Sequence, residues 1–242
     1  MRNTPALPVI LALAVGWAWE LLSPFAAQAQ STAVTPYDLP IFVDTKGDTI
    51  PTSPQNLPFK MIDGFPEYKI GPGDILEVIT VEGTDRSTER VRVQPDGTLS
   101  FSILTAIPVR NLSLSETTTV LKAQLGLYIR APQIQIFIQE YTSRSASVFG
   151  AITLNTGNNV GGARTGPGIY PLRGKRTALE LVMEAGGPAP DARLDQVRLT
   201  RQNRTYLIDL QKAITTGDVR QNVILEHGDV IQITSTQQQE VL

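Results

Sequence analysis

Gly73-Asp74-Ile75-Leu76-Glu77-Val78 and Gly228-Asp229-Val230-Ile231-Gln232-Ile233 share one form: glycine, aspartate, then apolar-apolar-polar-apolar. In each, a turn passes straight into a strand. Glycine gives the turn its backbone freedom, and the aspartate after it can accept nearby backbone N–H groups and fix the loop. A chain of 242 residues that does this twice is constrained toward two related β-rich modules. An echo this short also arises by chance, but the sequence around each copy is module-like as well.

Around the first copy, Gly71-Pro72-Gly73-Asp74 is a turn and Ile75 to Val81 a β-rich run. Arg90 to Val93 reads as a short strand. Gln94-Pro95-Asp96-Gly97 fits a type I turn, and Leu99, Phe101 and Ile103 then alternate with Ser100 and Ser102. These pieces predict a hairpin. Ser113-Leu114-Ser115-Glu116 has capping-box spacing, and Leu114, Leu121, Leu125 and Tyr128 make one helical stripe after it. Beyond Pro132, Ile134, Ile136 and Ile138 alternate as a half-buried strand.

Around the second copy, Val148 to Ile152 is a short strand, and residues 153–168, rich in glycine and asparagine, form a loop. Thr177 and Glu180 make a second capping box, and Gly186-Gly187 can close that helix with a left-handed cap. Strands follow near Val197–Thr200 and Tyr206–Leu210, joined by Gln202-Asn203-Arg204. Glu226-His227-Gly228-Asp229 turns into the last strand. Gly71, Gly73, Asp74, Asp96, Gly97, Gly186, Gly187, Gly228 and Asp229 therefore read as structural motif residues.

The N-terminal residues read as an export signal: Arg2, an apolar stretch to about Ala18, and Ala27-Gln28-Ala29 as a cleavage site. The alternative is a membrane anchor, but spanning takes about 20 apolar residues and Glu20 interrupts the run. The expected organisation is a signal peptide at 1–29, a Pro-rich linker or strap at 30–66 with little regular structure, modules at 67–142 and 145–234, and a short polar tail at 235–242. Absence of cysteine excludes disulfides, thiolate metal sites and a cysteine-linked lipid. A balance of 21 basic against 23 acidic side chains gives no basic surface for nucleic acid.

Catalytic chemistry is not written here. His227 is the only histidine, too few for a triad or a histidine metal cluster, and reads as a turn residue. There is no Gly-x-Ser-x-Gly elbow, dinucleotide loop or P-loop lysine. Glu77 and Glu82 would be a glycosidase pair only inside an aromatic-lined cleft, and aromatic residues are 6% of the chain. No catalytic, cofactor-binding or metal residue is assigned, and the chain reads as a non-enzyme.

In order and spacing, these motifs resemble bacterial polysaccharide export proteins of the outer-membrane auxiliary type. The carrying residues are Tyr68 to Leu76, Val93 to Leu99, Ser113 to Glu116, Val148 to Ile152, Pro167 to Tyr170, Thr177 to Gly187, and Leu225 with Gly228 to Ile231. The resemblance implies an α+β fold: a polysaccharide-export domain, then a β-grasp-like SLBB domain. It implies a non-catalytic periplasmic subunit of a capsule or exopolysaccharide export channel. That subunit would form a homo-oligomeric ring and dock onto an inner-membrane polysaccharide co-polymerase. It would associate with the outer membrane through partners and would not be a lipoprotein. The best-known relatives continue into a membrane-crossing helix. The residues after Ile233 cannot supply one, so a separate outer-membrane protein is expected. A periplasmic carbohydrate-binding module without a conduit role is the alternative, and a carbohydrate-active enzyme a third.

Ser102, Thr105 and Asn111 stand where the family tends to have Pro, Gly and Gly. Asn tolerates a left-handed backbone; Thr105 points to a changed turn. The loop at 153–166 is longer than the family's connection. Its Asn155, Asn158, Asn159 and Arg164 are candidates for contact with a partner or with sugar hydroxyls, or the loop is a surface insertion without a role.

Overall fold

The computed structural model describes residues 39–82, 85–154 and 166–236. The expected signal peptide, Asn155, Asn158, Asn159, Arg164 and most of the tail lie outside them. The described residues form one compact unit with two hydrophobic cores.

Before the first module, the chain makes two short antiparallel pairs. These are β1 (Phe42–Val43) with β2 (Thr49–Ile50), and β3 (Phe59–Ile62) with β4 (Phe65–Tyr68). This corrects the expectation of little regular structure in the strap. Phe42, Ile50, Leu57 and Phe59 are buried, and all four belong to the core of the second module. They are spaced irregularly because each comes off a turn into a distant sheet, so no period betrays them. The prolines fit because a proline needs no donor partner while its carbonyl still accepts. Pro51 O takes an N–H from Arg201, Pro54 O one from Lys69 Nζ, and Pro58 O the backbone N–H of Lys69.

In the first module, β5 (Ile75–Glu82) lies between β6 (Asp85–Arg92) and, after the intervening elements, β9 (Gln133–Glu140), both antiparallel to it. Period two sends Leu76, Val78, Val91, Ile134 and Ile136 inward. The predicted hairpin across Pro95-Asp96-Gly97 is corrected. The turn forms, but β7 (Thr98–Phe101) pairs with β8 (Leu104–Pro108), not with the strand before it. Ser102-Ile103 is therefore a two-residue loop with Ser102 at φ 54°, and Ile103 is exposed. Asn111 is left-handed at φ 63°, as expected, while beside Thr105 the left-handed residue is Ala106 (φ 54°), inside β8 rather than in a turn.

Helix α1 (Leu114–Leu125) opens on a complete Ser113/Glu116 capping box. Thr117, Leu121 and Leu125 are buried, whereas Tyr128 lies past the helix end and is exposed.

The second module is a five-stranded mixed sheet. Its strands are β10 (Ser145–Gly150), β11 (Gly168–Pro171), β12 (Val197–Arg201), β13 (Arg204–Ile208) and β14 (Val230–Ile233). The order is β11-β10-β14-β12-β13, and only the first and last strands, β10 and β14, run parallel. Helix α2 (Ala178–Glu184) crosses between β11 and β12 and buries Ala178, Leu181 and Val182. This is the expected β-grasp arrangement, and the whole is α+β.

Thr177 and Glu180 cap α2 reciprocally. At its end, Gly186 N–H bonds Met183 O and Gly187 N–H bonds Val182 O, with both glycines at positive φ: a Schellman closure. Gln202 and Asn203 (φ 47° and 64°) make the β12–β13 turn. A third helix, α3 (Leu210–Thr216), stands where a strand end was expected.

If the strap is part of the second core, Phe42→Ala should destabilise the protein by about 3 kcal/mol or more. Urea unfolding measures this. A loss below about 1 kcal/mol would mean that the segment only rests on the surface.

Candidate functional site

The two Gly-Asp turns are alike in hydrogen bonding as well as in sequence. In each, the carboxylate accepts the backbone N–H three residues earlier: Gly71 to Asp74 Oδ2 at 2.9 Å, Glu226 to Asp229 Oδ2 at 2.8 Å. Each glycine is left-handed, Gly73 at φ 93° and Gly228 at φ 87°. Each also donates to the neighbouring strand region, Gly73 N to Val93 O and Gly228 N to Ser145 O, both at 2.9 Å. Val93 N–H and Ser147 N–H return bonds of 2.9 Å to the Asp74 and Asp229 carbonyls.

The two carboxylates are then satisfied differently. Asp74, fully buried, also accepts the backbone N–H groups of Thr142 and Ser143 at 2.9 Å each, the Ser143 hydroxyl at 2.9 Å and the Tyr68 hydroxyl at 3.0 Å. It joins the entry of the first module to the chain that leaves it. Gly71 must be small there, because a Cβ would lie 2.6 Å from Ser143 Oγ. Asp229 instead takes a two-pronged bond from Arg201, Nε at 2.9 Å and Nη2 at 2.6 Å. Arg201 also reaches Glu226 Oε1 at 3.2 Å, Ile224 O and Pro51 O. Glu226 Oε1 accepts the Ser53 N–H at 2.6 Å. One buried guanidinium thus holds two buried carboxylates and the strap.

Between these turns lies a cleft of about 680 Å³. Its walls come from Gln55-Asn56 of the strap, Lys69 to Pro72, Arg110-Asn111, Ser143-Arg144 and His227. Lys69 Nζ donates to Pro54 O at 2.9 Å and Gln55 O at 3.1 Å. Arg144 Nη2 donates to Asn111 Oδ1 at 2.7 Å. His227 Nδ1 accepts the Ser145 N–H at 3.1 Å, so the neutral ring carries its proton on Nε2. Burial, then Arg144 and Lys60, lower the Lys69 ammonium pKa to about 8.

Of the sequence-assigned motif residues, only Gly71 lines the cleft. Asp96 accepts from Thr98 N and Oγ1, and these bonds lower its pKa. Gly97 O receives the N–H groups of Val109 and Arg110, and its lack of a side chain leaves room for Arg110. Gly186 and Gly187 close α2 away from the cleft. No sequence motif gives a site role to Lys69, Arg110, Arg144 or Arg201, and Glu226 and His227 are expected only as turn residues. Lys69 and Arg144 each flank a segment bonded to Asp74, which is the one local clue. Among the described residues, Glu77 accepts from Gln139 at 2.8 Å. No group of three or more potential metal ligands occurs among them either, and no helix among them is long and apolar enough to cross a membrane.

Two outcomes follow from this geometry. Asp74→Ala strips a buried acceptor from three backbone N–H groups and should cost about 3 kcal/mol or more; Asp96→Ala, at an exposed turn, should cost far less. Equal urea midpoints for the two variants would refute the hub role of Asp74.

The second outcome is a pH dependence. Because the Lys69 pKa falls from 10.5 to about 8, the unfolded chain binds a proton that the folded chain has released across that window, and stability rises with pH. The Tyr68 hydroxyl is pushed above its usual 10.0 by burial and by the Asp74 charge, so above pH 10 stability falls again. Urea unfolding between about pH 8 and pH 10 should show the rise in the wild type and lose it in Lys69→Met. An unchanged slope in the variant would assign the rise elsewhere.

Comparison with known families gives two matches along the chain. Residues 64–139 match the polysaccharide biosynthesis/export protein family, and residues 158–233 match the SLBB domain. Together the matches span well over half of the sequence, in the expected order. The chain belongs to the polysaccharide biosynthesis/export proteins, with an SLBB domain after its export domain.

Proposed function

We propose that the chain is a non-catalytic periplasmic subunit of a polysaccharide export channel, assembling as a ring of identical copies. In this reading it docks on an inner-membrane co-polymerase and a separate outer-membrane protein. The observation that carries the proposal is the family pairing on one compact unit. Asp74 fastens the export module to the segment at 142–143 that leads into the SLBB module, and the strap runs through the second core. Such a unit suits a scaffold that must keep its shape while a polymer passes.

The cleft favours a second reading, a carbohydrate-binding module without a conduit, because it offers a concave polar site in the single chain. Assembly separates the two. The conduit reading expects residues 30–242 to give one closed oligomer of fixed mass by light scattering, with or without detergent. It also expects cells lacking the protein to retain polysaccharide in the periplasm. A protein that stays monomeric at every concentration, in cells that still export normally, would leave only the binding reading.

A further inference from the structure

The junction cleft is basic. Lys69, Arg110 and Arg144 enter it from three separate segments, with no aspartate or glutamate among its lining residues. Two of the nearby carboxylates are engaged elsewhere. Asp74 is saturated by N–H and hydroxyl donors, and Asp229 is held by Arg201. Glu226 acts on Lys69 in the opposing direction, but burial and the neighbouring cations outweigh it and keep the ammonium depressed.

The cationic groups left unused in the cleft are all donors. The Arg110 guanidinium has no partner among the described residues, and neither does Arg144 Nη1. Lys69 commits two of its three N–H bonds, and the His227 proton on Nε2 is unclaimed. Asn111 spends its oxygen on Arg144, which leaves its amide N–H groups. A site made of cations and donors matches a ligand that is an acceptor and an anion. Its volume of about 680 Å³ exceeds what a lone carboxylate needs and falls within the usual range for small-molecule sites, about 300–1,000 Å³. The amides of Gln55 and Asn56 on the strap wall suit the hydroxyls of a ring that carries the anion.

The geometry points to a binding site for an acidic sugar, with Arg110 and Arg144 on its carboxylate and Gln55 and Asn56 beside its hydroxyls. The oxyanion site stands on the cleft alone; its assignment to a unit of the exported polymer rests on the export reading. A sugar phosphate or free phosphate presents the same chemistry to the two arginines, so the test separates these sources. The site would also make the chain selective for acidic polymers without any catalytic residue.

Calorimetric titration of the full secreted chain with a galacturonic acid tetrasaccharide, a glucose tetrasaccharide and inorganic phosphate tests this. The acidic tetrasaccharide is expected to bind at least about tenfold more tightly than the neutral one, the value of one charge-assisted pair. Arg110→Gln and Arg144→Gln should each weaken it by about tenfold or more. Arg110 is exposed and unpaired, so Arg110→Gln should keep the wild-type thermal midpoint and oligomeric state. Loss of binding in that variant therefore cannot be ascribed to misfolding, and it leaves the export reading untouched. Equal binding of the neutral tetrasaccharide, or full binding by Arg110→Gln, overturns the proposal. Binding of phosphate without binding of the acidic tetrasaccharide overturns the sugar assignment.

Discussion

Asp74 is a buried carboxylate that makes no ion pair among the described residues. A buried charge is tolerated only when every lone pair is met, and here donors from three stretches of chain converge on it: Tyr68, Gly71, and Thr142 with Ser143. The cost of burying the charge makes the contact all-or-none. If the segment at 142–143 moved away, the carboxylate would lose two N–H bonds and a hydroxyl bond together. The orientation of the second module begins at that segment, because β10 starts at Ser145. The second Gly-Asp turn meets the same requirement with Arg201, which also gathers Glu226 and the strap. One sequence device thus locks the chain in two ways, by backbone donors at the junction and by a guanidinium in the second module.

The strap gives this arrangement its directionality. Phe42, Ile50, Leu57 and Phe59 enter the second core before the first module has begun. Two of the five segments that wall the cleft, the strap and the His227 turn, are bonded directly to each other through His227 N–H and Asn56 O. The cleft is therefore framed by contacts that the fold needs for its own stability, and its arginines project from a fixed frame. A site of this kind requires little ordering on binding.

What could be read in the sequence was what is local. Ser113/Glu116 and Thr177/Glu180 announce helix starts because both partners sit within one turn. Gly186-Gly187 and Asn111 announce left-handed backbone because few other residues tolerate it. The Gly-Asp echo was legible for the same reason: its defining bond spans three residues. What was hidden depends on distant partners. β7 could pair backward or forward, and the choice of β8 is made by the packing of Leu99, Phe101, Leu104 and Ile107. Helix α3 is capped by Asp209 and closed by Gly217 but buries only Leu210, so it shows no stripe. The cleft's cations stand at 69, 110 and 144 with His227 beyond them, and no spacing rule joins positions so far apart.

The hold of Asp74 on the linker at 142–143 predicts that the export and SLBB modules move as one body. Native-state hydrogen exchange reads this directly at the amides of Gly71, Thr142 and Ser143, which Asp74 accepts. If the account is right, these amides open only with the global unfolding seen at Val93 and Leu172, with the same free energy and the same dependence on denaturant. Exchange at Thr142 and Ser143 that is far faster, and insensitive to denaturant, would mean that the junction opens on its own and the modules are joined only by a hinge.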